Sequence, residues 1–336
     1  MNFAKFVRYL LWPFSVLYGW AVHTRVWLYQ TGLLKQKRLK APVISVGNLT
    51  VGGTGKTPMV IWLAEKFLAD GKRVAILSRG YRGEKGTSDE IELMKYRLQG
   101  RVSFGVGKNR FAEGQRLEAQ QPVDIFLLDD GFQHLQLARD VDVLLIDSSR
   151  PLRQEWLLPA GRLREPTEGV RRADLIAFTR VNDQFSVVRA IQEFPQFPVF
   201  PACTRLLRYR RIELGQQVSA SELELPPQPV YAFCGIGNPD AFFADADRWG
   251  NVIAGRAVFR DHHQYSSKDV RALEDQAKQA GARSLLTTEK DARNLDDVRI
   301  SSFPIFYCEI DIQIKDTQEF FTLLKRKIAS TAGAAA

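Results

Sequence analysis

The chain has 336 residues, 45% of them hydrophobic and 25% charged. That balance excludes a disordered chain, and at roughly 100–200 residues per domain the length favours two compact domains. Cys203, Cys234 and Cys308 are too few for a disulfide framework and too widely spaced for zinc, which fits a reducing cytosol. The net charge of +9 argues weakly for nucleic acid, because residues 1–64 hold eight basic side chains and no acidic one, whereas the remainder is nearly neutral.

The same terminus is dense in aromatic rings: Phe3, Phe6, Tyr9, Trp12, Phe14, Tyr18, Trp20, Trp27 and Tyr29. Tyr9 to Val22 is uncharged but is interrupted by Pro13, and it falls short of the ~20 apolar residues that span a bilayer. No small-residue cleavage pair follows it, so the segment reads as retained and not as a signal peptide. Rings and Lys/Arg together suit the water–lipid boundary, and residues 1–40 are expected to form a membrane-contacting segment. Packing of the same helix on the protein's own core is the other reading, and the two are compatible on opposite faces.

From Pro42 onward, short β-branched runs alternate with helical patterns, the pattern of a mostly parallel sheet. Strands are expected at Pro42–Val46, Arg73–Leu77, Val102–Val106, Asp124–Leu128, Val141–Ile146, Leu175–Thr179 and Pro198–Ala202, with helices at Pro58–Asp70, Asn109–Gln120 and Gln184–Phe194. These elements make an α/β P-loop domain over residues 41–204. Residues 205–229, rich in charge and proline, read as a connector. A second, smaller α/β domain over 230–330 follows, with strands at Val230–Cys234, Val252–Phe259, Ser284–Thr288 and Pro304–Cys308. Its helices are expected at Pro239–Arg248, Lys268–Ala280 and Asp316–Ala329, with a frayed alanine-rich tail after Ser330.

The first strand runs into Thr50-Val51-Gly52-Gly53-Thr54-Gly55-Lys56-Thr57 and then a helix. Glycines let amide N–H groups curl around phosphate, the helix N-terminus favours an anion, Lys56 reaches the β and γ phosphates, and the Thr57 hydroxyl suits Mg²⁺. The loop departs from the generic motif, since Thr50 stands where its first glycine belongs. Strand Asp124–Leu128 delivers Asp129-Asp130 to its carboxyl end, as a metal-coordinating acid beside such a loop requires. ATPases, GTPase switches, metal-insertion chaperones and small-molecule kinases all use these parts. A guanine-reading motif is missing, because Thr288-Glu289-Lys290-Asp291 lacks the spacer, and no cysteine accompanies His23, His134, His262 or His263 for metal delivery. Two further groups stand out: Asp261-His262-His263, where an aspartate beside a histidine can orient an imidazole for proton transfer or be an ordinary surface pair, and Ser88-Asp89-Glu90, which falls near where a P-loop fold places groups at the γ-phosphate.

Taken in order, the residues resemble the tetraacyldisaccharide 4'-kinase family. The resemblance rests on Val46-Gly47-Asn48-Leu49-Thr50 leading into the phosphate loop, Ser78-Arg79-Gly80-Tyr81, Asp89-Glu90, and Asp129-Asp130-Gly131-Phe132-Gln133-His134. It continues through Leu157-Leu158-Pro159-Ala160-Gly161 with Leu163-Arg164-Glu165-Pro166, then Asp261-His262-His263 and Thr288-Glu289-Lys290-Asp291. This family's loop lacks the same first glycine. The resemblance implies transfer of the ATP γ-phosphate to the 4'-hydroxyl of a tetraacylated glucosamine disaccharide 1-phosphate, giving lipid IVA in lipid A synthesis. It implies ATP and Mg²⁺ as cofactors, with Lys56 and Thr57 at nucleotide and metal and Asp129 with Asp130 completing the metal site. Asp89 would be the catalytic base and His262 its partner from the other domain, the two meeting on domain closure. Arg79, Gln133, His134, Arg164 and Glu165 would be substrate-binding or supporting residues. The expected setting is a monomer at the cytoplasmic face of the inner membrane, peripheral or monotopic, without nucleic acid. A nucleotide switch acting on a protein partner is the alternative.

Overall fold

Runs such as VISVGN, VAILS and IFLLD are apolar at nearly every position, which a strand needs when both faces of its sheet are covered. The computed structural model describes residues 3–80, 88–181, 184–212, 225–295 and 303–334. These residues cluster into two compact units. One comprises residues 1–81, 98–203 and 312–336; the other comprises 82–97 and 204–311.

In the first unit, strands β1 (Val43–Asn48), β2 (Val74–Ser78), β3 (Ser103–Val106), β4 (Ile125–Asp129), β5 (Val141–Asp147), β6 (Leu175–Thr179) and the start of β7 (Val199–Arg211) form a parallel sheet. Their order is β3-β2-β4-β1-β5-β6-β7. β1 lies between β4 and β5, with Val46 opposite Asp129, so the ends of β1 and β4 open side by side. In parallel sheets that carboxyl edge is where ligands bind. Helix α1 (Phe3–Gln30) precedes the sheet, α2 (Lys56–Ala69) follows β1, α4 (Arg110–Gln120) follows β3, and α5 (Gln184–Glu193) follows β6. α2 buries Met59, Val60, Leu63, Ala64 and Phe67, whose spacing forms its sheet-facing stripe.

The second unit holds α3 (Asp89–Leu98), of which all but the last residue belongs here. β8 (Val230–Cys234), α6 (Pro239–Arg248), β9 (Ile253–Val258), α7 (Ser267–Gln279), β10 (Ser284–Thr288), α8 (Glu289–Arg293) and most of β11 (Ile305–Ile314) complete it. β11, β10, β8 and β9 lie in that order, and the pairings of β10 with β11 and β8, and of β8 with β9, are parallel.

Each strand begins within one residue of where the sequence places it, but β11 runs on to Ile314, α3 is an additional helix, and further differences follow. Residues 88–97, read as part of the phosphate-loop domain, cluster with the second unit. β7 runs to Arg211, well into the stretch read as a connector; Tyr209 is buried and Arg210 pairs with Glu309, so its charges lie along a strand. The connector's residues 213–224 lie outside the described residues. α1 continues through Pro13 without ending. The last helix, α9 (Thr317–Ala334), runs past Ser330 because alanine is the strongest helix former, and the Thr331 hydroxyl donates to the Asp140 carbonyl at 3.2 Å.

α9 is held by rings. Phe320 is fully buried, with its centroid 5.7 Å from Trp62 and 5.0 Å from Phe200. Phe320→Ala is expected to cost about 3–5 kcal/mol, measured as a lower urea midpoint with an unchanged slope.

Candidate functional site

The phosphate loop lies between β1 and α2. Gly55 caps α2 at φ 88°, a left-handed conformation that glycine adopts without strain, and it brings no side-chain cap to the helix's first N–H groups. Those amides suit an anion. The loop's carbonyls are held from outside. Gly53 O accepts from Arg180 Nη2 at 2.8 Å, Thr54 O from Thr179 Oγ1 at 3.1 Å and Val51 O from Arg162 Nη2 at 2.8 Å, while Leu49 O accepts the Arg164 amide at 2.7 Å. Arg180 is itself ion-paired with Asp147.

Lys56 Nζ stands 3.2 Å from Asn48 Oδ1 and 3.5 Å from Asp130 Oδ1. Arg164 grips both Asp130 oxygens at 2.8 Å and also reaches Asn48. Burial would raise the Asp130 carboxyl, but Lys56 and Arg164 outweigh it and hold the group well below the usual range. The neighbouring acids therefore differ in their partners. Asp129, almost fully buried at the end of β4, accepts from Ser78 Oγ at 3.1 Å, whereas Asp130 faces the two cations at φ 50°. With the Thr57 hydroxyl these acids make an all-oxygen donor set, which fits Mg²⁺ and does not favour a softer metal.

Gln133 donates to Asn48 O at 2.9 Å and to Glu165 at 2.6 Å; Glu165, 2% exposed, also pairs with Arg172 at 2.6 Å. These two residues buttress the loop's entry strand. His134 stands apart from them, its Nδ1 3.3 Å from Arg110 Nη1. Burial, and then Arg110, Arg139, Arg25 and Arg79, push its imidazole down to about 4. Tyr81 of the Ser78–Tyr81 motif lies outside the described residues.

A second cluster belongs entirely to the second unit. His262 Nδ1 is 2.8 and 2.9 Å from the Asp89 oxygens. The two were expected from different domains, meeting on closure. They share one unit and are in contact, because the described residues 88–97 cluster with the second unit. Burial raises the Asp89 carboxyl, but the His262 hydrogen bond and Lys290 bring it down to about 2; the same hydrogen bond raises His262. The Thr288–Asp291 motif supports this arrangement structurally. Thr288 caps α8, and the fully buried Asp291 accepts from Thr288 Oγ1, the Gly235 amide and Tyr265 OH, while Gly235 O accepts the His262 amide.

Residues 7–329 match the family described as tetraacyldisaccharide-1-P 4'-kinase. The chain belongs to this family. The tetraacyldisaccharide 4'-kinase of Geobacter metallireducens is 36% identical over 96% of this chain and 98% of its own, and that of Pelobacter propionicus is 39% identical over 85% and 82%. The crystal structure of LpxK from Aquifex aeolicus in complex with ATP is similar, with a TM-score of 0.74 and 30% identity over 96% of this chain and 99% of that one. As a member of the tetraacyldisaccharide 4'-kinase family, the protein is a phosphotransferase of lipid A synthesis with an α/β P-loop kinase fold.

Sequence reasoning passed over the roles of Asn48, Thr179 and Arg180, and of Lys290. Asn48 and Lys290 stand inside quoted motifs, so their position was visible although their contacts were not. Thr179 and Arg180 end an ordinary apolar strand and carry no local signal.

The pKa of folded His134 lies below the unfolded value of ~6.5, so the unfolded state binds more protons as pH falls from 6.5 towards 4, and stability is lost over that window. At pH 5, His134→Gln is expected to recover about 1–2 kcal/mol of the acid-induced loss seen in the parent, measured by denaturant titration of both proteins at pH 7 and pH 5.

Proposed function

We propose that the phosphate loop holds ATP, with Lys56 at the β and γ phosphates, and that Asp89, oriented by His262, accepts the proton of the 4'-hydroxyl as its oxygen bonds to the γ-phosphorus. The observation that carries this reading is the 2.8 Å contact between Asp89 and His262 in a chain of this family. The P–O bond to ADP breaks as the new one forms, and the released proton stays on the Asp89–His262 pair. Lys56 is drawn from Asp130 to the incoming phosphates, which leaves Asp130 neutralised by Arg164. Thr57, Asp129 and Asp130 would hold Mg²⁺, which supplies charge neutralisation on the transferred phosphoryl group when bound. Arg79, Gln133, His134, Arg164 and Glu165 support the loop or meet the sugar phosphate.

With ATP, Mg²⁺ and the tetraacylated disaccharide 1-phosphate, the purified protein is expected to yield a product heavier by one phosphate. Lys56→Ala abolishes that product. Asp89→Ala lowers kcat about 10²–10³-fold with little change in nucleotide affinity. Near-normal turnover by Asp89→Ala would exclude Asp89 as the base, and phosphate release without lipid product would favour a nucleotide switch.

We also place the protein at the cytoplasmic membrane face, through α1. Its inner side docks by polar contacts: Ser15 Oγ donates to Leu157 O at 2.9 Å and accepts the Ala160 amide at 3.0 Å, and Tyr18 OH donates to Arg164 O at 2.7 Å. Its outer side carries Phe6, Leu10, Trp12, Leu17 and Trp20, with Trp20 75% exposed. Among the described residues, no helix is long and apolar enough to cross a membrane. An apolar outer face of this kind fits a helix lying in the lipid surface, beside an acylated substrate. Changing Trp12, Leu17 and Trp20 together to Ser is expected to cut co-sedimentation with anionic lipid vesicles about tenfold or more and leave the melting temperature unchanged. Undiminished sedimentation would remove α1 as the lipid contact.

A further inference from the structure

The last two residues of β6 back three successive residues of the phosphate loop. Thr179 Oγ1 donates to Thr54 O at 3.1 Å, and a Cβ at Gly55 would stand 3.7 Å from the Thr179 methyl. Arg180 Nη2 donates to Gly53 O at 2.8 Å, while a Cβ at Gly53 would meet nothing within 4 Å, so the loop is open beside the residue that Arg180 holds. Arg180 is itself held from β5, which pairs with β6 so that Asp147 lies opposite Thr179. Its guanidinium pairs with Asp147, and its carbonyl accepts from Ser148 Oγ at 2.8 Å. Asp147 in turn accepts from the Ser149 amide at 3.0 Å and the Ser149 hydroxyl at 2.6 Å. The Arg180 side chain is 15% exposed and that of Asp147 8%, and the Arg180 backbone sits at φ 60°, a left-handed conformation that is costly for a residue with a side chain.

We infer that Arg180 is a positioning residue for the nucleotide: by holding the Gly53 carbonyl it aims the Thr54 amide at the phosphates, and Asp147 holds its guanidinium to that task. The peptide plane supplies the link. In a trans peptide the carbonyl oxygen of one residue and the N–H of the next point in opposite directions, so a Gly53 oxygen drawn to β6 turns the Thr54 N–H the other way. A Thr54 oxygen drawn to Thr179 does the same for the Gly55 N–H. Successive amides turned to a common side make a concavity that binds anions. Glycine-rich backbone has many accessible conformations, and the guanidinium suits the task of selecting one. It is always charged, and with one arm on a carboxylate and the other on the Gly53 carbonyl its plane is fixed. A left-handed residue persists where its neighbours over-determine it, and at Arg180 they do so through Ser148, Asp147 and Gly53.

This inference rests on the reading of the loop as the ATP site, and binding measurements separate the two. In Arg180→Met, which loses the guanidinium, calorimetry with Mg²⁺ is expected to show ADP held about tenfold more weakly. Tripolyphosphate, which has no nucleoside, is expected to weaken by a similar factor. The KM for ATP rises with them, and the KM for the lipid substrate stays within about twofold. Asp147→Ala adds a test of sign, and it stands alone should Arg180→Met fail to fold. Removing a negative charge would by itself tighten the binding of a polyanion, whereas loosening Arg180 weakens it. A loss of ADP affinity of about threefold is expected, with no further loss when the change is added to Arg180→Met. Tighter ADP binding by a folded Asp147→Ala, or an Arg180→Met within about twofold of the parent's ADP affinity, would overturn the inference. Weakened ADP with unchanged tripolyphosphate would overturn it as well, since that result assigns Arg180 to the nucleoside and not to the loop. Should the unaltered protein bind neither probe, the reading of the loop fails instead, whatever Arg180 does.

Discussion

A loop that wraps phosphate must leave its amide N–H groups free for the ligand, so it cannot form a helix or strand of its own, and its carbonyls need partners elsewhere. In this protein those partners are the Thr179-Arg180 step at the end of β6 and the Arg162–Arg164 stretch. The carbonyls of Leu49, Val51, Gly53 and Thr54 are thus each hydrogen-bonded from outside the loop. The charges around it follow from that frame. Asn48 ends β1, and Lys56 and Arg164 converge on it and on Asp130. A carboxylate held by two cations in a partly buried setting stays ionised, and Lys56 also reaches Asn48.

The second cluster solves a different problem with similar means. A carboxylate in a buried setting stays ionised only where nearby charges and donors offset the burial. His262 and Lys290 reverse that effect on Asp89. The turn bearing His262 is fixed in its own right: the residue sits at φ 61°, and its amide bonds to Gly235, whose own amide is anchored on the buried Asp291. A Cβ at Gly235 would lie 3.0 Å from Arg260 O and 3.2 Å from His263 Cβ, so the close approach that seats this turn leaves no room for a side chain. Thr288-Glu289-Lys290-Asp291 thus has two tasks. Thr288 and Asp291 cap α8 and anchor the turn, and Lys290 projects its charge into the cluster.

The phosphate loop and the Asp129-Asp130 step were legible because their chemistry needs particular residue types in a fixed order along the chain. The strands were legible because both faces of each are buried, which leaves an uninterrupted apolar run. α3 was passed over although its buried Ile91, Met94 and Leu98 recur at helical spacing; the charges between them mask that stripe, and Arg97 pairs with Glu289, remote in sequence, at 3.0 Å. Chain order also hid which unit owns Asp89. A segment that leaves the first unit and returns to it has no compositional boundary, so His262 was expected from a different domain than its partner. The extra length of β7 was masked by its arginines, whose charges are matched by Glu309 and Asp311 on β11, a strand about a hundred residues downstream. Pairings of this kind are set by topology, and local pattern does not encode them.

α1 and the phosphate loop share a support. The stretch from Trp156 to Arg164 touches α1 on one side, through the Tyr9–Trp156 ring pair, the Ser15 contacts and Tyr18 OH on Arg164 O. On the other side the same stretch meets the loop, through the Arg164 amide on Leu49 O, the Arg162 contacts with Val51 and the Arg164 guanidinium on Asp130. Gly19 belongs to this packing, since a Cβ there would stand 2.8 Å from the Leu157 side chain. Arg164 therefore presents its carbonyl to the helix proposed to lie in lipid and its guanidinium to the acid beside Lys56. Peptide and side chain belong to one residue, so the stretch that seats α1 through the Arg164 carbonyl is also the stretch that pairs Asp130 beside Lys56 through the Arg164 guanidinium.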